Sequence, residues 1–172
     1  MIQRVQTLWL ALALLLSVLA FFFPLANFSL PDQSIVYNLV VKSVDINSDN
    51  FFQQYSPISL IILNCVFMVL CLATIFTYKN RILQLRVLAF AFLVIVAYTL
   101  VLFLYQVDAG LEQILTSWLK GREDLVSSAL KTSKTIYGIG AYFPIAQIIC
   151  LVFARNGIRK DEKLVRSADR IR

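Results

Sequence analysis

The chain has 172 residues, an ordinary length for one soluble domain, but 59% of them are hydrophobic, only 15% are charged and the formal net charge is +6. That balance excludes a conventional water-soluble globule, which needs more polar surface. There is no histidine, so the usual haem ligand, zinc imidazole and neutral-pH general base are missing too.

Four apolar blocks free of Asp, Glu, Lys and Arg lie at 5–23, 57–78, 87–107 and 136–154. Each is close to the ~20 residues with which a helix rising ~1.5 Å per residue crosses a ~30 Å hydrocarbon core. A helix also satisfies its own backbone groups in lipid. The expected fold is therefore an all-α membrane protein, a four-transmembrane-helix bundle occupying 1–154, followed by a basic tail helix over 155–172. The alternative of buried helices in a soluble protein would leave too little polar surface.

Arg4 and Trp9 lie at one end of the first block, suited to the membrane interface. Val18-Leu19-Ala20 loosely resembles a processing site, but the apolar run continues to Phe23 before Pro24 stops it, so an uncleaved anchor is expected. The connection 24–56 is longer than a bare link requires. Asn27 to Leu30 and Ile35 to Val41 are rich in β-formers and flank a turn-like Pro31-Asp32-Gln33-Ser34, predicting a hairpin.

A lone hairpin is marginal in water, and the second long connection, 108–135, offers it a surface. Leu111, Leu115 and Trp118, then Leu125, Val126, Ala129 and Leu130, suggest two short amphipathic helices there. Together these pieces would make a small outer cap; the alternative is two unstructured loops.

The brief link around Lys79-Asn80-Arg81 makes the second and third spans antiparallel neighbours. The fourth block holds Gly138, Gly140, Ala141 and Ala146, which favour close helix approach, and Pro144, which predicts a kink near Gly140. Gly138-Ile139-Gly140 follows no predicted strand and is set in an apolar run, so it is not read as a nucleotide loop. Cys65, Cys71 and Cys150 all fall in spans and behave there as small apolar residues.

Eleven basic residues fall at the N-terminus, the 79–86 link and the tail, against five in the two long connections, while seven of the ten acids go the other way. The positive-inside rule then places both termini in the cytoplasm. The basic balance reports topology, and no specific nucleic-acid partner is expected.

The spans carry no carboxylate, so proton coupling or solo catalysis is not expected, and no cofactor or metal is called for. Asn64 and Thr99 lie at similar depth and are expected to face each other, and Gln147 to bond a carbonyl freed by Pro144. Helix-to-helix packing is favoured for all of them over a substrate site.

In the tail, Gly157 is suited to end the fourth helix, and a second helix is predicted from Ile158 onward. Arg159, Lys163, Arg166 and Arg170 then form a stripe at i, i+4, i+7 and i+11, beside an apolar face of Leu164, Val165, Ala168 and Ile171. The opposite border, with Glu162 and Asp169, is acidic. A solvated helix near the membrane, lipid attachment and partner docking all remain open for it.

The opening Met-Ile-Gln-Arg-Val-Gln-Thr and the closing stretch from Ile158 to Arg172 resemble a family of small membrane proteins of the Bacteroidetes group, over the whole chain. The family is a domain of unknown function. The resemblance implies a Gram-negative inner membrane and supplies no activity or functional residue.

The expectation is a non-catalytic accessory or scaffold subunit of an inner-membrane complex, in contact with lipids and with a larger assembly or its own copies. The alternative is a self-associating pore or carrier for a small solute, lined by residues such as Asn64, Thr74 and Thr99. An intramembrane enzyme built on Cys65 or a serine ranks third.

Overall fold

The computed structural model describes residues 3–29, 34–37, 39, 43–44, 52–53, 58–78, 80–106, 111–112 and 134–169. Within them lie four α-helices: α1 (Gln3–Leu19), α2 (Ile58–Phe76), α3 (Arg81–Val101) and α4 (Phe143–Asp169). A π-helical turn, Leu102–Gln106, follows α3, and a 3-10 turn, Ile139–Tyr142, leads into α4. By length and composition the stretches Ile58–Phe76, Arg81–Leu104 and Ile139–Glu162 can each cross a membrane, and Val5–Leu19 is a shorter apolar helix. The protein is mostly helical, with apolar helices compatible with a membrane protein.

The chain divides into two compact units. The first comprises Met1–Val18, Leu63–Tyr98 and Pro144–Arg172. Its helical segments bury residues at alternating steps of four and three: Gln6, Leu10, Ala13 and Ser17 on α1; Asn64, Phe67, Cys71 and Thr74 on α2; Gln84, Leu88, Ala91, Ile95 and Tyr98 on α3. On α4 the series is Pro144, Gln147, Leu151, Ala154, Ile158 and Asp161. This is the spacing by which packed helices keep one seam facing inward. Leu8, Leu15, Val69, Phe90 and Leu93 point outward and are well exposed, as the wall of a helix meeting lipid would be. The seam is thus marked by its polar and small residues, because both faces are apolar.

Tyr98 is almost wholly buried, and its hydroxyl has no hydrogen-bond partner among the described residues. An unpaired buried hydroxyl costs about 1–3 kcal/mol. Tyr98→Phe is therefore expected to be neutral or to stabilise the protein by up to about 1 kcal/mol, read as the denaturation midpoint in mild detergent.

The second unit comprises Leu19–Ile62 and Thr99–Phe143. It holds β1 (Ala26–Ser29), β2 (Ser34–Tyr37), the short pair β3 (Ser43–Val44) and β4 (Phe52–Gln53), and β5 (Lys134–Tyr137). An antiparallel sheet has the order β2-β1-β5, with Asn27 opposite Val36 on one side and Ile136 on the other. β1 and β2 overlap the two β-rich runs of the first long connection, each starting one residue before its run, so that Ser34 is in the strand and not in the turn. Phe23 packs edge-on to Phe143, at 5.4 Å between ring centroids, and Phe103 packs on Tyr137 at 5.1 Å.

Several boundaries differ from the sequence expectation. The fourth block was expected to be helical from residue 136, but Ile136 and Tyr137 belong to β5. A short apolar run looks the same in a strand and a helix, and here pairing with a distant strand decides. No kink follows from Pro144, which is the second residue of α4, in the first turn, where its missing N–H costs no hydrogen bond. Replacing it should therefore straighten nothing. The Gly140 carbonyl accepts from the Phe143 N–H at the junction of the 3-10 turn and α4.

Gly157 does not end the helix either. α4 runs unbroken through it to Asp169, so no second helix starts at Ile158. Likewise α3 begins at Arg81, inside the basic link, and takes in Gln84 and Arg86. The two amphipathic helices expected in 108–135 lie outside the described residues, apart from a helical Leu111-Glu112.

Candidate functional site: a cavity among four helices

Within the first unit, α1, α3, α4 and the end of α2 line an open cavity of about 360 Å³. Ile75, Phe76 and Ile158 supply apolar wall, while Gln6, Arg81, Gln84 and Asp161 supply polar groups. These groups are tied to one another and to backbone. Gln6 Nε2 donates to Asp161 Oδ2 at 2.5 Å, Arg81 Nη1 donates to the Asp161 carbonyl at 2.9 Å, and Gln84 Nε2 donates to the Thr74 carbonyl at 3.2 Å.

Asp161 is only 8% exposed, and Gln6 5%. A buried carboxylate needs a donor, and Gln6 can provide one because α1 and α4 come close at Gly157. A Cβ there would stand 2.8 Å from Gln6 Cγ. The glycine read as a helix stop is the position at which two helices touch. Trp9 stacks on Phe153 at 4.9 Å, extending the same contact.

A second polar tie joins α1 to α2. Ser17 Oγ donates to Asn64 Oδ1 at 2.6 Å, and Asn64 Nδ2 donates to the Ser17 carbonyl at 3.1 Å. Asn64 is buried and its amide is engaged with Ser17; Thr99, the partner anticipated for it, is half-buried on α3. Gln147 differs from expectation. Its Nε2 donates across to the Ala13 carbonyl of α1, at a long 3.4 Å, rather than to a carbonyl near Pro144. The Thr74 hydroxyl donates to the Leu70 carbonyl of its own helix.

In the basic stripe, Arg159 is exposed on α4, and Lys163 and Arg166 lie on the same helix, their side chains outside the described residues, as is Arg170 altogether. Docking by the stripe as a whole therefore falls outside what is described. Cys65, Cys71 and Cys150 are free thiols. Sequence reasoning missed Gln6, Ser17, Gln84 and Asp161. The first three were detectable, because polar residues recur along the apolar helices at the four-and-three spacing of the seam.

The Ser17–Asn64 tie gives a direct test. Ser17→Ala and Asn64→Ala are each expected to destabilise the protein, and the double variant by less than their sum. A coupling of about 0.6–1.7 kcal/mol is expected from a double-mutant cycle of detergent unfolding, as for hydrogen bonds between membrane helices. Strict additivity would show that the bond carries no net energy.

A search among curated proteins finds no match. A family model described as a domain of unknown function (DUF4293) matches residues 2–171, and the chain, with its helices tied by Gln6, Asn64 and Asp161, belongs to that family.

Proposed function

We propose that the protein is a non-catalytic accessory or scaffold subunit of a bacterial inner-membrane complex, with all four helices crossing the bilayer and both termini in the cytoplasm. The observation that carries this reading is how the inward polar groups are used. Asn64, Ser17, Gln84, Gln147 and Thr74 are each engaged in a hydrogen bond to a neighbouring helix or to their own backbone. Groups so engaged act as packing, whereas a solute pathway needs polar groups turned toward a lumen. The basic excess at the N-terminus, the α2–α3 link and the tail supports the orientation. At ~1.5 Å per residue α4 measures roughly 40 Å, long enough to carry its charged last turns past a ~30 Å core, where a cytoplasmic partner can reach them.

Gentle solubilisation from the source membrane followed by native mass spectrometry tests the reading. A stoichiometric partner is expected, and a monomer without companions would count against it. Reporter fusions at each terminus check the orientation.

The buried Asp161 beside a cavity favours a second reading, a self-associating pore or carrier. Against it, Asp161 lies seven residues, roughly 10 Å of helix rise, past Ala154, where the uncharged block ends. That is headgroup depth in the proposed topology and not mid-membrane. Flux of small solutes through the pure protein in liposomes separates the two, since an accessory subunit passes nothing.

A further inference from the structure

A second depression in the first unit lies between α3 and α4. It is a cleft of about 350 Å³ whose wall includes Arg86 from α3 and Arg155, Arg159 and Glu162 from α4. The wall thus carries three arginines and one glutamate. Arg155 and Arg159 are one helical turn apart, on one face of α4, and both are exposed, as is Arg86. Next to the cleft is a groove of about 230 Å³ with Phe92, Leu93 and Leu151 in its wall. Ala89 and Arg155 line both. Ile82 and Leu85 also line the cleft, but from Arg86 to Leu93 along α3, and from Arg159 back to Leu151 along α4, the charged side chains give way to apolar ones within about two turns.

We propose that this cleft and groove together seat one anionic phospholipid, its phosphodiester held by Arg86, Arg155 and Arg159 and one acyl chain lying along Phe92, Leu93 and Leu151. The chemistry of the two halves is that of the two halves of the ligand. Guanidinium forks match phosphate oxygens in pairs. Basic pockets between membrane helices on the cytoplasmic side are suited to anionic headgroups. Leu93, in the groove's wall, and the nearby Phe90 on α3 are both 63% exposed, and in the proposed bilayer they meet the surrounding lipid from which a chain would come. A soluble anion would use the arginines and leave the groove without a role.

The inference rests on the proposal that α3 and α4 cross a bilayer. Resistance of the protein to alkaline extraction from membranes tests that premise separately, so its failure is distinguishable from failure of the lipid site. For the site, full-length protein in mild detergent is offered phosphatidylglycerol and phosphatidylcholine in equal amounts, and retained lipid is counted by native mass spectrometry. One phosphatidylglycerol per chain is expected to be retained in clear preference. Arg155→Gln and Arg159→Gln should each lower its retention about fivefold, while Lys160→Gln, which removes an exposed charge outside the cleft, should leave it unchanged. Ala89→Leu, which alters no charge but fills the junction, should lower it as well. Equal retention of the two lipids, an equal loss with Lys160→Gln, or full displacement by inorganic phosphate would each overturn the proposal, the last by showing a site for free anions.

Discussion

Replacing Gly138 by alanine is expected to destabilise the second unit by about 3 kcal/mol, at the upper end of the usual cost of overpacking. A Cβ at this position would lie 2.3 Å from the Pro24 carbonyl oxygen and 2.9 Å from its carbon. Both obstacles are backbone, so no rotamer change relieves them. Conformation is not the issue, since φ is −78° and ψ 171°, values any residue adopts. The requirement is space, created because the Gly138 N–H donates to the Leu25 carbonyl and the Gly140 N–H to the Pro24 carbonyl, both at 2.9 Å. These bonds continue the pairing of β5 with β1, where Ala26 stands opposite Tyr137. An alanine must push the chain at Pro24 away and strip the last rungs of that ladder.

Two measurements check it. The denaturation midpoint should fall, and a disulfide between Asn27→Cys and Ile136→Cys, introduced with the native cysteines replaced, should form readily in the parent and poorly with Gly138→Ala. Those positions face each other across the β1–β5 pair, within the reach of a disulfide between strands. Gly140→Ala, whose Cβ would meet the Phe23 and Pro24 carbonyl oxygens at 2.8 Å, should shift both readouts in the same direction by less. Unchanged crosslinking in the Gly138 variant would mean that the strand contact has slack.

The same glycine shows where reading a sequence for a membrane chain runs out. Gly138 and Gly140 signal close approach, and that much is visible in the composition of the segment. What they approach is not, because the partner is Pro24, more than a hundred residues earlier, in the link between α1 and β1 rather than in a helix. The helices themselves were legible, since uncharged blocks of about twenty residues admit few other structures. Their ends were less so. Arg86 bounds the third uncharged block without bounding its helix, which begins five residues earlier at Arg81, because long basic side chains reach outward from helical backbone to polar surroundings.

Which face of each helix is buried was half legible. In water, apolar residues mark the inner face; in these helices both faces are apolar, and the seam is marked by Gln6, Ser17, Asn64, Thr74, Gln84 and Gln147. The register of that seam can be read from polar residues at steps of three and four, but the pairing cannot. Asn64 had candidates on more than one helix, and its engagement with Ser17 depends on how helices are arranged around it. Asp161 was hidden for a different reason. Taking Gly157 as a stop placed it in a separate tail helix, whereas continuous α4 carries it three residues past Ile158 to the edge of the cavity.

Loss of the Gln6 amide should be costly because that amide donates to the Asp161 carboxylate. Gln6→Leu keeps nearly the same volume and is expected to cost about 2 kcal/mol, the scale of a hydrogen bond to a charged group. The acid would then be nearly buried beside a leucine and forced to turn into the cavity. If the interaction is structural, removing both polar ends should be milder than removing one, so Gln6→Leu with Asp161→Leu should recover much of the loss. Asp161→Asn should cost little, since its amide oxygen still accepts from Gln6. Denaturation midpoints in mild detergent measure all four proteins. The double variant also bears on function, because it keeps the helices together while removing the carboxylate from the cavity. An accessory subunit with that change should still co-purify with its partner at normal stoichiometry, and a carrier that uses Asp161 to hold a solute should lose its flux. Stability recovered together with intact partner binding is the expected result; a double variant as unstable as Gln6→Leu alone would show that the carboxylate is needed by more than the glutamine.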